Sequence, residues 1–194
     1  MVCALPSKFD EVKVIESRVV YNKHGRRVVE DILQFADGST HEWVYFAGAG
    51  PAIGGAVAVA AFTEDDKMIL TRQYRHPFRK IIYDIPAGGG GAQDNETPEQ
   101  AALRELEEET GYTAEKLEWI GRFTWAPSYI GPGTVEIFFT KSLKPKGDFD
   151  SNEIAEIELM DFNEVLEKVL RGEFIDSALV IATLLVAVQG LLSS

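Results

Sequence analysis

Residues 94–118 carry nine acids and two bases, and the same stretch holds the strongest helix signal in the chain. Thr97 stands where an N-cap stands, Pro98 fits the first helical position, and Gln100 completes a capping box. Gly111 ends the helix as a C′ residue does. On a 3.6-residue period Glu105, Glu108 and Glu109 share one face, while Leu103 and Leu106 turn a neighbouring face towards a core. Like charges at these spacings cost a helix roughly 0.2–0.5 kcal/mol per pair. Three of them together on a short helix make sense if a divalent cation sits over the face. A divalent cation suits the oxygens, since Mg²⁺ keeps several waters and takes one or two protein carboxylates together with phosphate oxygens. A solvated acidic face would show the same run of Glu but not its surroundings. Arg104 can orient or partly neutralise a carboxylate, Glu96 precedes the cap, and the glycine-rich loop 87–91 lets backbone approach a phosphate.

The rest of the chain reads mostly as strands. Residues 12–22 and 27–35 are rich in Val and Ile, Ala36-Asp37-Gly38 is a hairpin signal, and residues 40–46 form the returning strand. Residues 47–53 are a flexible connector, which places a boundary between an N-terminal strand subdomain, residues 1–52, and a main domain, residues 53–194. The connector's glycines fail the dinucleotide spacing, and a strand rather than a helix follows them. Residues 55–62 and 68–74 read as a buried strand pair across the Glu64-Asp65-Asp66 turn. Residues 79–84 continue the strand character into the glycine loop. Further strands are expected over 117–125, 135–141 and 154–160, with a helix capped by Asp161 and stopped by Gly172, and a last helix starting at Asp176. Strands dominate and three helices come late, which predicts an α+β fold or a compact α/β/α sandwich.

Charge narrows the partners. Nineteen Lys and Arg against 31 Asp and Glu leave a formal charge of −12, a field that repels nucleic acid and anionic membrane surfaces. A polyanion would have to bind locally, through a bridging cation. The single cysteine, Cys3, makes no disulfide framework and no cysteine zinc site, and fits a reducing, cytoplasmic setting. The longest apolar run, 175–192, falls short of a membrane span and reads as a buried terminal helix.

Gly90, Glu96 and Arg104-Glu105-Leu106-Glu107-Glu108-Glu109-Thr110-Gly111-Tyr112 match the Nudix box at every fixed position, and the chain is identified as a member of the Nudix hydrolase family. That resemblance implies an α/β/α sandwich, here with an N-terminal antiparallel β-hairpin extension. It also implies hydrolysis of a nucleoside diphosphate linked to a further moiety with Mg²⁺ or Mn²⁺. By motif position Glu105, Glu108 and Glu109 would be metal ligands, Arg104 would pair with a box glutamate, Glu96 would support the loop, and Gly90 and Gly111 would shape the turns. Gln73-Tyr74-Arg75-His76-Pro77, Tyr83-Asp84-Ile85-Pro86-Ala87-Gly88, and Pro127, sixteen residues past Gly111, resemble the ADP-ribose pyrophosphatase subfamily, as does Asp176-Ser177-Ala178. The loop here is two residues longer than that subfamily's, so the carbonyl of Ala87 or of Gly89 could face the metal.

The same resemblance implies a loop glutamate, Glu153 or else Glu156, that activates or positions water. It suggests Arg75 on the diphosphate, Trp43 or Tyr45 on the base, and Pro127 and Glu136 near the substrate. It further implies a homodimer built through the N-terminal hairpin and a small-molecule nucleotide-sugar substrate. ADP-ribose, cleaved to AMP and ribose 5-phosphate, leads. GDP-mannose or another nucleotide sugar, and a non-catalytic sensing module, are the alternatives.

Overall fold

The computed structural model describes residues 8, 11–24, 26–47, 55–89, 95–128, 131, 133–149 and 154–192. The chain divides into two compact units, Met1–Ile53 with Ala126–Gly133, and Gly54–Trp125 with Thr134–Ser194. The N-terminal unit thus includes a second segment, 126–133, that the sequence boundary at residue 52 leaves out.

The first unit is an antiparallel meander of β1 (Lys13–Lys23), β2 (Arg26–Gln34) and β3 (Thr40–Ala47), in the order β1-β2-β3. Gly38 takes φ +82° in the β2–β3 turn, and the Asp37 carboxylate accepts the Ser39 N–H at 2.9 Å. Two bulges interrupt β1, and the strand is exposed along its whole length.

The second unit holds two larger sheets. One has the order β7-β4-β10-β9, from β4 (Ala56–Ala61), β7 (Ala87–Gly89), β9 (Glu118–Phe123) and β10 (Val135–Thr140). The other has the order β12-β5-β6, from β5 (Lys67–Arg75), β6 (Lys80–Asp84) and β12 (Ile154–Asp161). A small ladder joins β8 (Tyr112–Ala114) to β11 (Leu143–Pro145). The helices are α1 (Pro98–Thr110), α2 (Phe162–Leu170) and α3 (Ser177–Gln189), the last two capped by Asp161 and Asp176. No helix among the described residues is long and apolar enough to cross a membrane.

Two expectations are corrected. The segments read as a buried strand pair, β4 and β5, pair only at the Phe62–Met68 bridge and belong to different sheets. β4 instead runs parallel to β10, with Ala58 opposite Ile137. β4 is apolar on both faces, so no alternation in its sequence marks which strand it pairs with. The strand character read over residues 79–84 is β6, a separate strand from β5. A 3₁₀ turn at His76–Phe78 and a left-handed Arg79 (φ +52°) fold β6 back along it. Residues 87–89 form β7 rather than a loop, with Gly88 opposite Val57.

Alternate side chains of the strands feed two cores. Ala58, Phe62, Met68 and Leu70 pack with α2 and α3 through residues such as Val165 and Leu179. Val57, Val59 and Ile69 pack with Ala102 and Leu106 of α1. Helices therefore cover both faces, which makes this unit an α/β/α sandwich.

Candidate active site

Helix α1 starts and stops where its sequence dictates. Thr97 Oγ1 accepts the Gln100 N–H at 3.2 Å, and Gln100 Oε1 accepts the Thr97 N–H at 2.9 Å. Gly111 takes φ +70° and returns its N–H to the Glu107 carbonyl at 2.8 Å. A Cβ at Gly111 would also run into the Gly147 carbonyl, so two constraints demand glycine there. With Leu106 fully buried, the helix presents Glu105 and Glu109 to β7.

Glu109 is 7% exposed. Its Oε1 accepts from Gln73 Nε2 at 3.2 Å and its Oε2 from the Ala87 N–H at 3.0 Å. Burial pushes this carboxyl up to about 8, and the charges of Asp84 and Glu105 add to the effect against the Ala87 hydrogen bond and the charge of Arg75. Glu105 lies against Gly88, where any Cβ would fall inside its carboxylate.

Arg104 ties the remaining acids together. Its Nε and Nη2 donate to the two Glu96 oxygens at 2.9 and 3.3 Å, a bidentate pair. Nη1 donates to Glu105 Oε1 at 2.8 Å and Glu108 Oε2 at 3.0 Å, and Nη2 reaches the Gly89 carbonyl at 3.1 Å. These contacts, the Glu96 bond first, raise the guanidinium's affinity for its proton still further. The Glu108 side chain remains 54% exposed.

Among the described residues no three acids, histidines or cysteines already converge as a metal cluster. Glu105 and Glu108 lean on Arg104, and both oxygens of Glu109 are held by neutral donors. The donor set nevertheless suits a hard divalent cation. It is all oxygen, and the buried Glu109 carboxyl holds a proton near neutral pH that a cation would displace.

The other expected site residues are placed as follows. Arg75, at the end of β5, pairs with Asp84, whose other oxygen accepts the Ile85 N–H at 2.9 Å. Asp84 is 2% exposed, and the Asp176 carboxyl lies beside it. Glu156 is not brought to the α1 carboxylates. It pairs with Arg72 at 2.5 Å, and Arg72 lies over the Tyr83 ring at 5.4 Å. Tyr83 packs on Phe174, in the core beneath α2 and α3, so this cluster occupies the opposite face of the sheet from α1. Glu136 on β10 accepts from Trp119 Nε1 at 2.6 Å and from Thr134 at 3.1 Å.

In the first unit Trp43 Nε1 donates to the Ser128 carbonyl at 3.1 Å, next to Pro127. Tyr45 lies by Asp31, and burial, then Asp31, raises its pKa. Glu153 and Gly90 lie outside the described residues. Sequence reasoning passed over Gln73 and Asp84 as individual site residues. The signal was there in β5, where Gln73 and Arg75 continue the face of Ile69 and Thr71 that looks at α1.

The NUDIX domain family model matches residues 53–180. The chain is 31% identical over 178 residues to a methanol dehydrogenase activator of Bacillus methanolicus, covering 90% of this chain and 92% of that one. It is 39% identical over 126 residues to an ADP-ribose pyrophosphatase of Bacillus subtilis (strain 168), covering 63% and 66% respectively. A crystal structure of an ADP compounds hydrolase shares the fold with a TM-score of 0.81 at 22% identity, over 93% of this chain and 94% of that one. With the family model spanning more than half of the sequence and the sandwich in common, the chain belongs to the NUDIX domain family.

Proposed function

We propose that this protein hydrolyses the diphosphate of a nucleoside diphosphate sugar, with ADP-ribose as substrate and AMP and ribose 5-phosphate as products, using Mg²⁺, for which Mn²⁺ can substitute. The observation that carries the reading is the buried Glu109 carboxylate beside Glu105 on a capped helix, with β7 closed against both. The pyrophosphatase activity in the name of the Bacillus subtilis relative supports the substrate class.

Glu105, Glu108 and Glu109 would hold the cation together with the Ala87 carbonyl. Ala87 is preferred over Gly89 because the Gly89 carbonyl already accepts from Arg104. When bound, the cation supplies charge neutralisation at the diphosphate and a lowered pKa for the attacking water. In the hydrolysis, water oxygen bonds to one phosphorus as the bridging P–O bond breaks.

Arg75 offers a fork of five donors, of which the Asp84 pair occupies one end, and its side chain is 41% exposed. The remaining N–H groups suit diphosphate oxygens. Glu153 is assigned the water-activating role. Its neighbour Ile154 sits opposite Gln73, so the chain enters β12 next to the residue that grips Glu109. Trp43 and Tyr45 offer ring faces to a base, with Pro127 and Glu136 as further substrate contacts.

Self-association through the first unit is part of this reading. Val14, Val19, Tyr21, Val44 and Phe46 are each about half exposed on its strands, and a second copy would cover them. A small-molecule substrate and a cytoplasmic setting complete it. Turnover of ADP-ribose and GDP-mannose at equal concentration, with Mg²⁺ and then with chelator, tests the substrate and the cation. Faster GDP-mannose cleavage overturns the first, and undiminished turnover in chelator the second. Light scattering at twice the 21.5 kDa chain mass is expected for the dimer.

A further inference from the structure

We propose that Gln73 is a positioning residue for the cation site, holding the Glu109 carboxylate in place without cancelling its charge. The inference rests on the reading of Glu109 as a metal ligand and goes one step behind it. Gln73 is 4% exposed, on the face of β5 that meets α1. Its Nε2 group has two hydrogens, and two acceptors take them: Thr71 Oγ1 at 3.3 Å and Glu109 Oε1 at 3.2 Å. Thr71 is fully buried, so the amide is fixed from behind. The other Glu109 oxygen is fixed by the Ala87 N–H. A carboxylate gripped at both oxygens by directional donors cannot rotate, and its remaining lone pairs keep one direction.

The choice of side chain matters as much as the bond. Arg104 shows what a cationic partner does in the same helix, drawing Glu105 and Glu108 onto its own charge. An amide orients but carries no net charge, so once a divalent ion displaces the proton the negative charge of Glu109 is left for that ion. Outer partners of this kind typically govern about 10–100-fold in metal affinity.

Mn²⁺ uptake by the full chain, followed from the electron paramagnetic resonance signal of free Mn²⁺, tests this without turnover. Gln73→Met removes the donors at similar volume and should weaken Mn²⁺ binding by about 10–100-fold. Gln73→Lys returns a donor to Glu109 but adds a charge, and should weaken binding at least as far. A side chain needed only to fill space and bond Glu109 would leave the lysine variant close to the unaltered chain. Should Gln73→Met fail to fold by thermal unfolding, Thr71→Val releases one amide hydrogen and should give a smaller loss in the same direction. If the unaltered chain takes up no Mn²⁺, the cation reading falls and this inference with it. If it takes up Mn²⁺ and the folded variants bind within twofold of it, or the lysine variant alone is spared, the inference falls while the cation reading stands.

Discussion

The backbone of Gly88 lies flat against the carboxylate of Glu105, with no room between them for a methyl group. Strand β7 therefore does more than border the helix, because its path fixes how far Glu105 can turn. Gly88→Ala should displace the Glu105 carboxylate and lower kcat by at least tenfold, since a misplacement of about 1 Å can cost 10²-fold. Gly89→Ala is the control, because among the described residues nothing lies within 4 Å of a Cβ there. Equal turnover in the two variants would show that β7 does not set the carboxylate.

Arg104 predicts a loss of stability rather than of charge. Lysine at 104 keeps the cation but cannot make the bidentate bond to Glu96 while also reaching Gly89. The side chain is 18% exposed, so the missing bonds are not made good by water. Arg104→Lys should cost about 2 kcal/mol, roughly 4–8 °C in Tm for a chain of this size. An unchanged melting curve would contradict the bridging role.

Asp84 gives the pH dependence. Burial, then the neighbouring Asp176 carboxyl, raises it from 3.8 to about 7, with Arg75 pulling the other way. Above the ordinary carboxylate range the folded chain still holds a proton that the unfolded chain has released. The stability contributed by this group is therefore fully present below about pH 4 and is lost as the pH rises towards 7. The charged groups facing it are Arg75 from β5, Asp176 at the start of α3, and Glu109 of α1. Asparagine at 84 keeps an acceptor for Arg75 and cannot ionise. Measured from pH 5 to pH 8, the Tm of Asp84→Asn should gain on that of the unaltered chain, whereas a constant difference would remove Asp84 as a buried titrating group.

How much of this was legible depends on the range of the interaction. The α1 caps act within four residues, so Thr97, Gln100 and Gly111 announce the helix directly. β7 is invisible to strand propensity because two of its three residues are glycine. It exists through pairing with β4 and through the fit of Gly88 against Glu105, both contacts between distant segments. Glu156 fails for a subtler reason. Simple alternation would put it on the face of Ile154, which sits opposite Gln73. A bulge between Ile154 and Glu156 shifts the register so that Glu156 faces Arg72 instead. One inserted residue turns a candidate base away from the site, and nothing in the local composition marks the bulge.

Glu108 separates catalysis from folding most cleanly. Among the described residues its carboxylate meets only Arg104 Nη1 at 3.0 Å, with the side chain 54% exposed, and a pair so exposed contributes at most about 1 kcal/mol. Arg104 keeps Glu96 and Glu105 when that contact goes. Glu108→Gln should therefore melt within roughly 2–4 °C of the unaltered chain, while losing at least 10²-fold in kcat for ADP-ribose if the oxygen it surrenders belongs to the cation. The same exchange at the buried Glu109 could damage packing and chemistry together, so it cannot make the distinction. A Glu108→Gln protein with full turnover would remove this residue from the ligand set, leaving Glu105 and Glu109 as the carboxylates to hold the ion.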